Sequence, residues 1–236
     1  MGIADLHMHT IFSYDGTASV PAVLQRAKQV GLDVIAITDH DVIQGARHAE
    51  QLAPRYGIQV IPGVEITTAE GDLLGLGIHS LVPAGLALIE TLIRVGELGG
   101  ICIAPHPLAG GIGMKSLNFH SVIKALQHPQ ASLYLLGIEV LNATALDHRS
   151  SVYARELAHF TGLAGTGSSD AHVLDAIGSG ATEFPGRTIG DLIESLRFGS
   201  TTAVSHASWS APKIIRHWVW DYLLSAPTRL SPALNE

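Results

Sequence analysis

The stretch Asp5-Leu6-His7-Met8-His9-Thr10 closes a short apolar segment near the start of the sequence. It predicts the end of a first strand over residues 3–7. Side chains alternate faces along a strand, so His7 and His9 project the same way, at a spacing that suits two ligands of one metal ion. Working outward, a second apolar strand over 34–38 stops at Thr38-Asp39-His40, and Glu65 lies in Gly63-Val64-Glu65. His106 follows the apolar run in Ala104-Pro105-His106-Pro107, and Asp170 and His172 end a late strand in Ser168-Ser169-Asp170-Ala171-His172. Histidines and acids thus recur where strands end.

Ser19, followed by Pro21, opens a helix through Gln29 that Gly31 closes. Further helices are expected over 44–56, 85–98, 117–126, 146–160 and 189–197, and strands over 58–61, 64–67, 72–78, 101–104, 137–141, 163–168 and 202–205. Short apolar runs alternating with amphipathic stretches predict a parallel sheet with crossover helices, in about seven βα units. A closed or nearly closed α/β barrel is the simplest architecture, with its functional residues at the C-terminal ends of the strands. No linker, low-complexity tract or repeat divides the 236 residues, so one domain over 1–236 is expected, with a flexible tail from about residue 226.

Hydrophobic residues make up 47% of the chain and charged ones 15%, which favours a single large core over disorder. The lone Cys102, in Gly100-Ile101-Cys102-Ile103-Ala104, reads as a core thiol, and a reducing compartment follows as the default. Asp5, His7 and His9 stand where a signal peptide would have to be, and no apolar run is long enough to span a bilayer; a cytoplasmic location is expected. The net charge of −7 offers no grip for a DNA duplex and favours a small phosphorylated substrate. Oligomeric state is not encoded in any of these features.

Taken in order, Asp5-Leu6-His7-Met8-His9-Thr10, Tyr14-Asp15-Gly16, Thr38-Asp39-His40, Gly63-Val64-Glu65, Pro105-His106-Pro107 and Asp170-Ala171-His172 resemble the PHP (polymerase and histidinol phosphatase) superfamily over residues 5–172. The resemblance implies a distorted seven-stranded (β/α)7 TIM-like barrel with two or three divalent ions (zinc, manganese or iron) in its mouth. By matching position, His7, His9, Glu65 and Asp170 look like ligands of one ion. Glu65 bridges to a second that also takes His106, and Asp15, His40 and His172 look like ligands of a third. The family commonly has a histidine before the Leu-Leu-Gly stretch; here Asp72 holds that place, with His79 nearby as a substitute. A carboxylate there still suits a hard or borderline cation.

Asp5 and Asp39 are read as acceptors that orient the ligand imidazoles, and Glu139, in Gly137-Ile138-Glu139-Val140, as a further carboxylate at the mouth. Lys115, at the end of the loop Gly110-Gly111-Ile112-Gly113-Met114-Lys115, together with Arg149 and Arg187, is a candidate for the substrate phosphate. His48, His128, His148, His159, His206 and His217 match no motif and read as structural or solvated. The aromatic stretch over 214–224 is expected to pack on the barrel rather than lie on a membrane or bind a partner.

The chemistry this implies is metal-dependent hydrolysis of phosphoesters, foremost a phosphomonoester of a nucleotide or other small metabolite. Cleavage of short oligonucleotides and a catalytically decayed metal-binding domain are the competing readings. An amidohydrolase also begins a barrel with His-x-His, but the Thr38-Asp39-His40 and Asp170-Ala171-His172 elements favour the phosphoesterase.

Overall fold

A computed structural model describes residues 1–110, 115–144, 148–207 and 211–230. Along the chain lie β1 (Gly2–Asp5), α1 (Val20–Gln29), β2 (Val34–Ile37), α2 (Gln44–Tyr56), β3 (Gln59–Thr67), β4 (Asp72–Leu76), α3 (Leu88–Glu97) and β5 (Ile101–Ala104). There follow α4 (Phe119–Gln127), β6 (Leu135–Asn142), α5 (His148–Thr161), β7 (Ala164–Ser168), β8 (Gly180–Phe184), α6 (Ile189–Arg197), β9 (Thr202–Ser205) and α7 (Ala211–Leu230). Local chemistry sets several boundaries. A proline at the first turn starts α1, where Ser19 holds the N-cap position without a side-chain cap hydrogen bond, and at α6 the Thr188 hydroxyl and Asp191 carboxylate form a reciprocal capping box.

The strands form one sheet in the order β7-β6-β5-β4-β3-β2-β1-β8-β9. β1, β2 and β3 pair in parallel, as do β5, β6 and β7. β4 runs antiparallel to both β3 and β5, so those six strands share one direction and their C-terminal ends open into one mouth. Being reversed, β4 brings its first residue there: Asp72 pairs with Thr67. The expected (β/α)7 barrel is thus corrected to nine strands in a mixed sheet. The segments over 58–61 and 64–67 are one strand, β3, and β8 is a strand that the apolar pattern did not reveal.

The ends of the sheet nearly meet. Thr182 Oγ1 donates to the Gly167 carbonyl at 2.8 Å and accepts from Gly167 N at 3.0 Å, while Thr201 Oγ1 donates to the Gly165 carbonyl at 2.8 Å. A Cβ on Gly167 would strike the Ala181 carbonyl oxygen, so glycine is what lets β7 lie this close to β8 and β9.

One buried cluster joins the helices to the outer face of the sheet, with Val23, Leu24, Ala46, Leu92 and Val122 against Ile35, Ile37 and Ile66. A second fills the barrel: Leu6, Val34, Ala36, Leu74, Ile103 and Phe184 meet Leu192 and Leu196 of α6, which plugs the end opposite the mouth. The aromatic stretch packs on the barrel through Trp218, while Val219, Trp220, Leu223 and Leu224 on α7 are exposed. The tail expected from residue 226 continues α7 to Leu230; 231–236 lie outside the described residues. Among the described residues, no helix is long and apolar enough to cross a membrane.

Candidate metal centre

Beyond the strands proper, parallel bridges from Met8 to Ala171 and from His40 to Glu65 carry the ladders into the mouth. They draw donor atoms into three fused groups, each within 4.8 Å: His7, His9 and Asp170; His7, Glu65 and His106; and His9, Asp15, His40 and His172. His7 Nε2 lies 3.1 Å from Glu65 Oε2 and 3.4 Å from Asp170 Oδ1, and His9 Nε2 lies 3.3 Å from each of those oxygens. Atoms about 2.1 Å from a shared ion at tetrahedral angles stand about 3.4 Å apart, so these spacings match edges of a coordination shell.

The cluster is buried around His7, His9, Glu65, His106 and Asp170, partly exposed at Asp15, His40 and His172, and incompletely hydrogen-bonded. Neither ring nitrogen of His9 has a hydrogen-bond partner, nor do Asp170 Oδ1 and Asp72 Oδ1. Each such buried orphan costs about 1–3 kcal/mol unless something satisfies it. A divalent cation among them would do so, and imidazole with carboxylate donors suits zinc, manganese or iron. His106 (φ 28°) and Asp170 (φ 51°) also sit in the left-handed backbone region, where strain persists only if the surroundings impose it. Here Glu139 Oε2 accepts from His106 N at 2.7 Å, and Asn142 Nδ2 donates to Asp170 Oδ2 at 3.0 Å.

Charge is distributed unevenly across the cluster. Burial opposes a proton on His7, but the carboxylates of Asp170, Glu65 and Glu139 outweigh it and raise the pKa well above the ordinary value. His40 and His172 are raised to about 9 against the same penalty, both through Asp15. His9 goes the other way, to about 4, because burial is reinforced by the charge on His172. Despite burial, the neighbouring imidazoles hold Glu65, Asp170 and Asp15 well below the usual carboxylate range. Asp72 rises to about 6, through burial and then the nearby Glu65 carboxylate.

The model of the PHP domain matches residues 5–136, more than half of the chain, and that of a PHP-associated segment matches 153–201. The chain belongs to the PHP domain family. Its PHP domain, its hydrolase-named relatives and the donor cluster together mark it as a metal-dependent phosphoesterase. A 5'-3' exoribonuclease of Haemophilus influenzae is 40% identical over 130 residues, covering 51% of this chain and 47% of that protein. A 3',5'-nucleoside bisphosphate phosphatase of Chromobacterium violaceum is 36% identical over 102 residues, covering 42% of this chain and 35% of that one. The matches therefore span less than half the length of either relative. A two-domain protein from Bacteroides vulgatus, described as containing a predicted PHP-like metal-dependent phosphoesterase, shares the fold with a TM-score of 0.68 at 20% identity, over 93% of this chain and 69% of its own.

In this PHP domain the remaining candidates fall at different distances from the cluster. Asp72 lies at the mouth, outside the three donor groups. His79 follows the far end of the reversed β4 and pairs with exposed Glu50 at 3.0 Å, so it cannot take the place of Asp72. Asp5 and Asp39 do not orient imidazoles as expected. Asp5 accepts from Ser169 N and Gly178 N, both at 3.0 Å, and Asp39 accepts from Thr10 N at 2.6 Å and Thr10 Oγ1 at 2.8 Å. They brace the backbone that carries the donors, because each side chain meets backbone amides before it meets a ring; burial raises both to about 6. Orienting an imidazole falls to Glu139, whose Oε1 is 3.1 Å from His7 Nδ1, and to Ser116 Oγ, 3.2 Å from His106 Nδ1.

Lys115 and Arg149 are exposed on the segments that leave β5 and β6 at the mouth; residues 111–114 of the glycine-rich loop lie outside the described residues. Arg187 is at the opposite end. Its guanidinium lies 3.6 Å from Asp33, and its carbonyl accepts from Gln59 at the start of β3, because β8 descends away from the mouth. The sequence reading missed Asn142, Ser116 and Ser168, whose hydroxyl hydrogen-bonds Glu139. Ser168 ends a strand at the mouth, which was the available signal.

Proposed function

We propose that this domain hydrolyses a phosphomonoester of a nucleotide or another small metabolite, at two or three divalent ions. What supports the reading most is the fusion of the donor groups: His7 and His9 each belong to two of them. His7, His9, Glu65 and Asp170 would hold one ion, Glu65 and His106 a second with Asp72 beside it, and Asp15, His40 and His172 a third. Such ions supply Lewis acidity toward phosphoryl oxygens and acidify a nucleophilic water. Glu139 and Ser116 fix which nitrogen of His7 and His106 faces the cluster. Lys115 and Arg149 would meet the phosphate from the rim. If the Asp15 group holds no ion, His172, its Nε2 charged up to pH about 9, can protonate the leaving oxygen.

Tyr14 favours a nucleotide. Its ring stacks on His40 with centroids 4.9 Å apart at 23°, yet 68% of the residue is exposed at the mouth, a surface on which a base can stack. Stacking contributes about 1–3 kcal/mol per base, so Tyr14→Ala should raise KM for a nucleoside phosphate roughly tenfold or more and leave an aliphatic phosphate nearly unchanged. The decisive experiment is a phosphoester panel with metal-loaded protein. Chelator-sensitive release of phosphate is expected, and no turnover with zinc, manganese or iron would overturn the proposal.

A second reading, removal of nucleotides from short oligonucleotides, is favoured by the similarity to the Haemophilus influenzae exoribonuclease. Release of nucleotides from short RNA, abolished by His9→Ala, would establish it.

A further inference from the structure

Trp218 lies outside both matched segments, which end at residues 136 and 201, yet it reaches the cluster. Its indole Nε1–H donates to the backbone carbonyl of Asp15 at 2.8 Å. The ring is held in place from its own helix: it packs on the main core and stacks on Tyr222 with centroids 4.7 Å apart. One residue earlier, His217 Nδ1 stands 3.6 Å from Asp175 Oδ2, and farther along α7 Leu224 and Ser225 share a cleft with Ile11, Thr17 and Ala18.

Among the donors of the third group, Asp15 lies farthest from a strand, midway along the connection without regular structure between β1 and α1. His9, His40 and His172 follow β1, β2 and β7 within four residues of the strand. Asp15 Oδ2 must nevertheless meet His172 Nε2 at 3.1 Å and His40 Nε2 at 3.3 Å. Thr17 ties the far side of this connection to the His172 carbonyl, and the Trp218 indole fixes the peptide plane of Asp15 itself.

We propose that Trp218 is a positioning residue for Asp15, so that the cation site of Asp15, His40 and His172 is complete only with α7 docked. The inference rests on the proposed metal role of Asp15. Removing a group that orients a ligand typically weakens metal affinity 10–100-fold.

The test is titration of metal-free full-length protein with Zn²⁺ or Mn²⁺, comparing wild type, Asp15→Asn, Trp218→Phe and the double variant, with bound equivalents counted by competition against a chromophoric chelator. Asp15→Asn should lose one equivalent. Trp218→Phe, which keeps a ring but removes the donor, should weaken that same equivalent about tenfold or more and spare the others, and it should add nothing in the Asp15→Asn background. Wild-type binding by Trp218→Phe, or weakening spread evenly over all equivalents, overturns the clamp alone. Full binding by Asp15→Asn overturns the metal role of Asp15 and the clamp with it. Should Trp218→Phe not fold, the wild-type indole N–H resonance remains as a readout, assigned by elimination with Trp209→Phe and Trp220→Phe. It should shift with the Asp15 equivalent, and an unmoved resonance through full loading refutes the clamp.

Discussion

Asn142 reaches two carboxylates at once: its Nδ2 stands 3.0 Å from Glu139 Oε2 and 3.0 Å from Asp170 Oδ2. Holding Oδ2 of Asp170 turns Oδ1 toward His7 and His9, while Glu139 fixes His7 from behind. Asn142→Ala should therefore weaken metal affinity by about 10–100-fold without abolishing folding, measured by chelator competition. Undiminished affinity would show that Asp170 is aimed by other contacts. Residues of this kind explain what the sequence reveals and what it hides. His7 and His9 are legible because strict alternation puts them on one face. Asn142 is not, since alternation pairs Glu139 with Leu141; a register shift between those two residues turns Asn142 to the mouth instead.

The parallel strands and their helices follow from periodicity, because β2 and β5 are buried on both faces and carry unbroken apolar runs. Strand direction has no such signature. β4 looks like any apolar strand, and only the hairpin register with β3 shows why Asp72 leads into the mouth while His79 leads away. β8, Gly180-Ala181-Thr182-Glu183-Phe184, escapes because small and charged residues take the places of an apolar run; its role is to close the barrel against β7. Two glycines give opposite predictions at this scale. Gly167→Ala drives a Cβ into the Ala181 carbonyl and should destabilise by about 1–3 kcal/mol. Gly190→Ala, in the first turn of α6 with only Thr188 Oγ1 nearby at 3.7 Å, should stabilise by about 0.4–1 kcal/mol. Denaturant melts of both variants check the signs; a neutral Gly167→Ala would mean the sheet edges are free to part.

Over the whole molecule, protons stand in for cations when no metal is bound. His7, His40, His106 and His172 all have raised pKa values, and they face Asp15, Glu65, Glu139 and Asp170, all lowered, so imidazolium is favoured beside carboxylate. Metal binding requires neutral imidazole, so loading near pH 7 must expel protons, and apparent affinity must rise with pH. Proton release per protein should fall as pH rises through about 9, where His40 and His172 lose theirs before any metal binds. For stability the sign follows from folded pKa values above the unfolded value of about 6.5: the contribution is complete below pH 6.5 and disappears as pH rises through about 9. Metal-free protein should thus weaken between pH 6.5 and 9 in chelator, whereas loaded protein, its imidazoles engaged by cations, should hold its stability over the same window. Denaturant melts across that range, with and without chelator, decide the matter; a metal-free fold that strengthens toward pH 9 would refute this charge pattern.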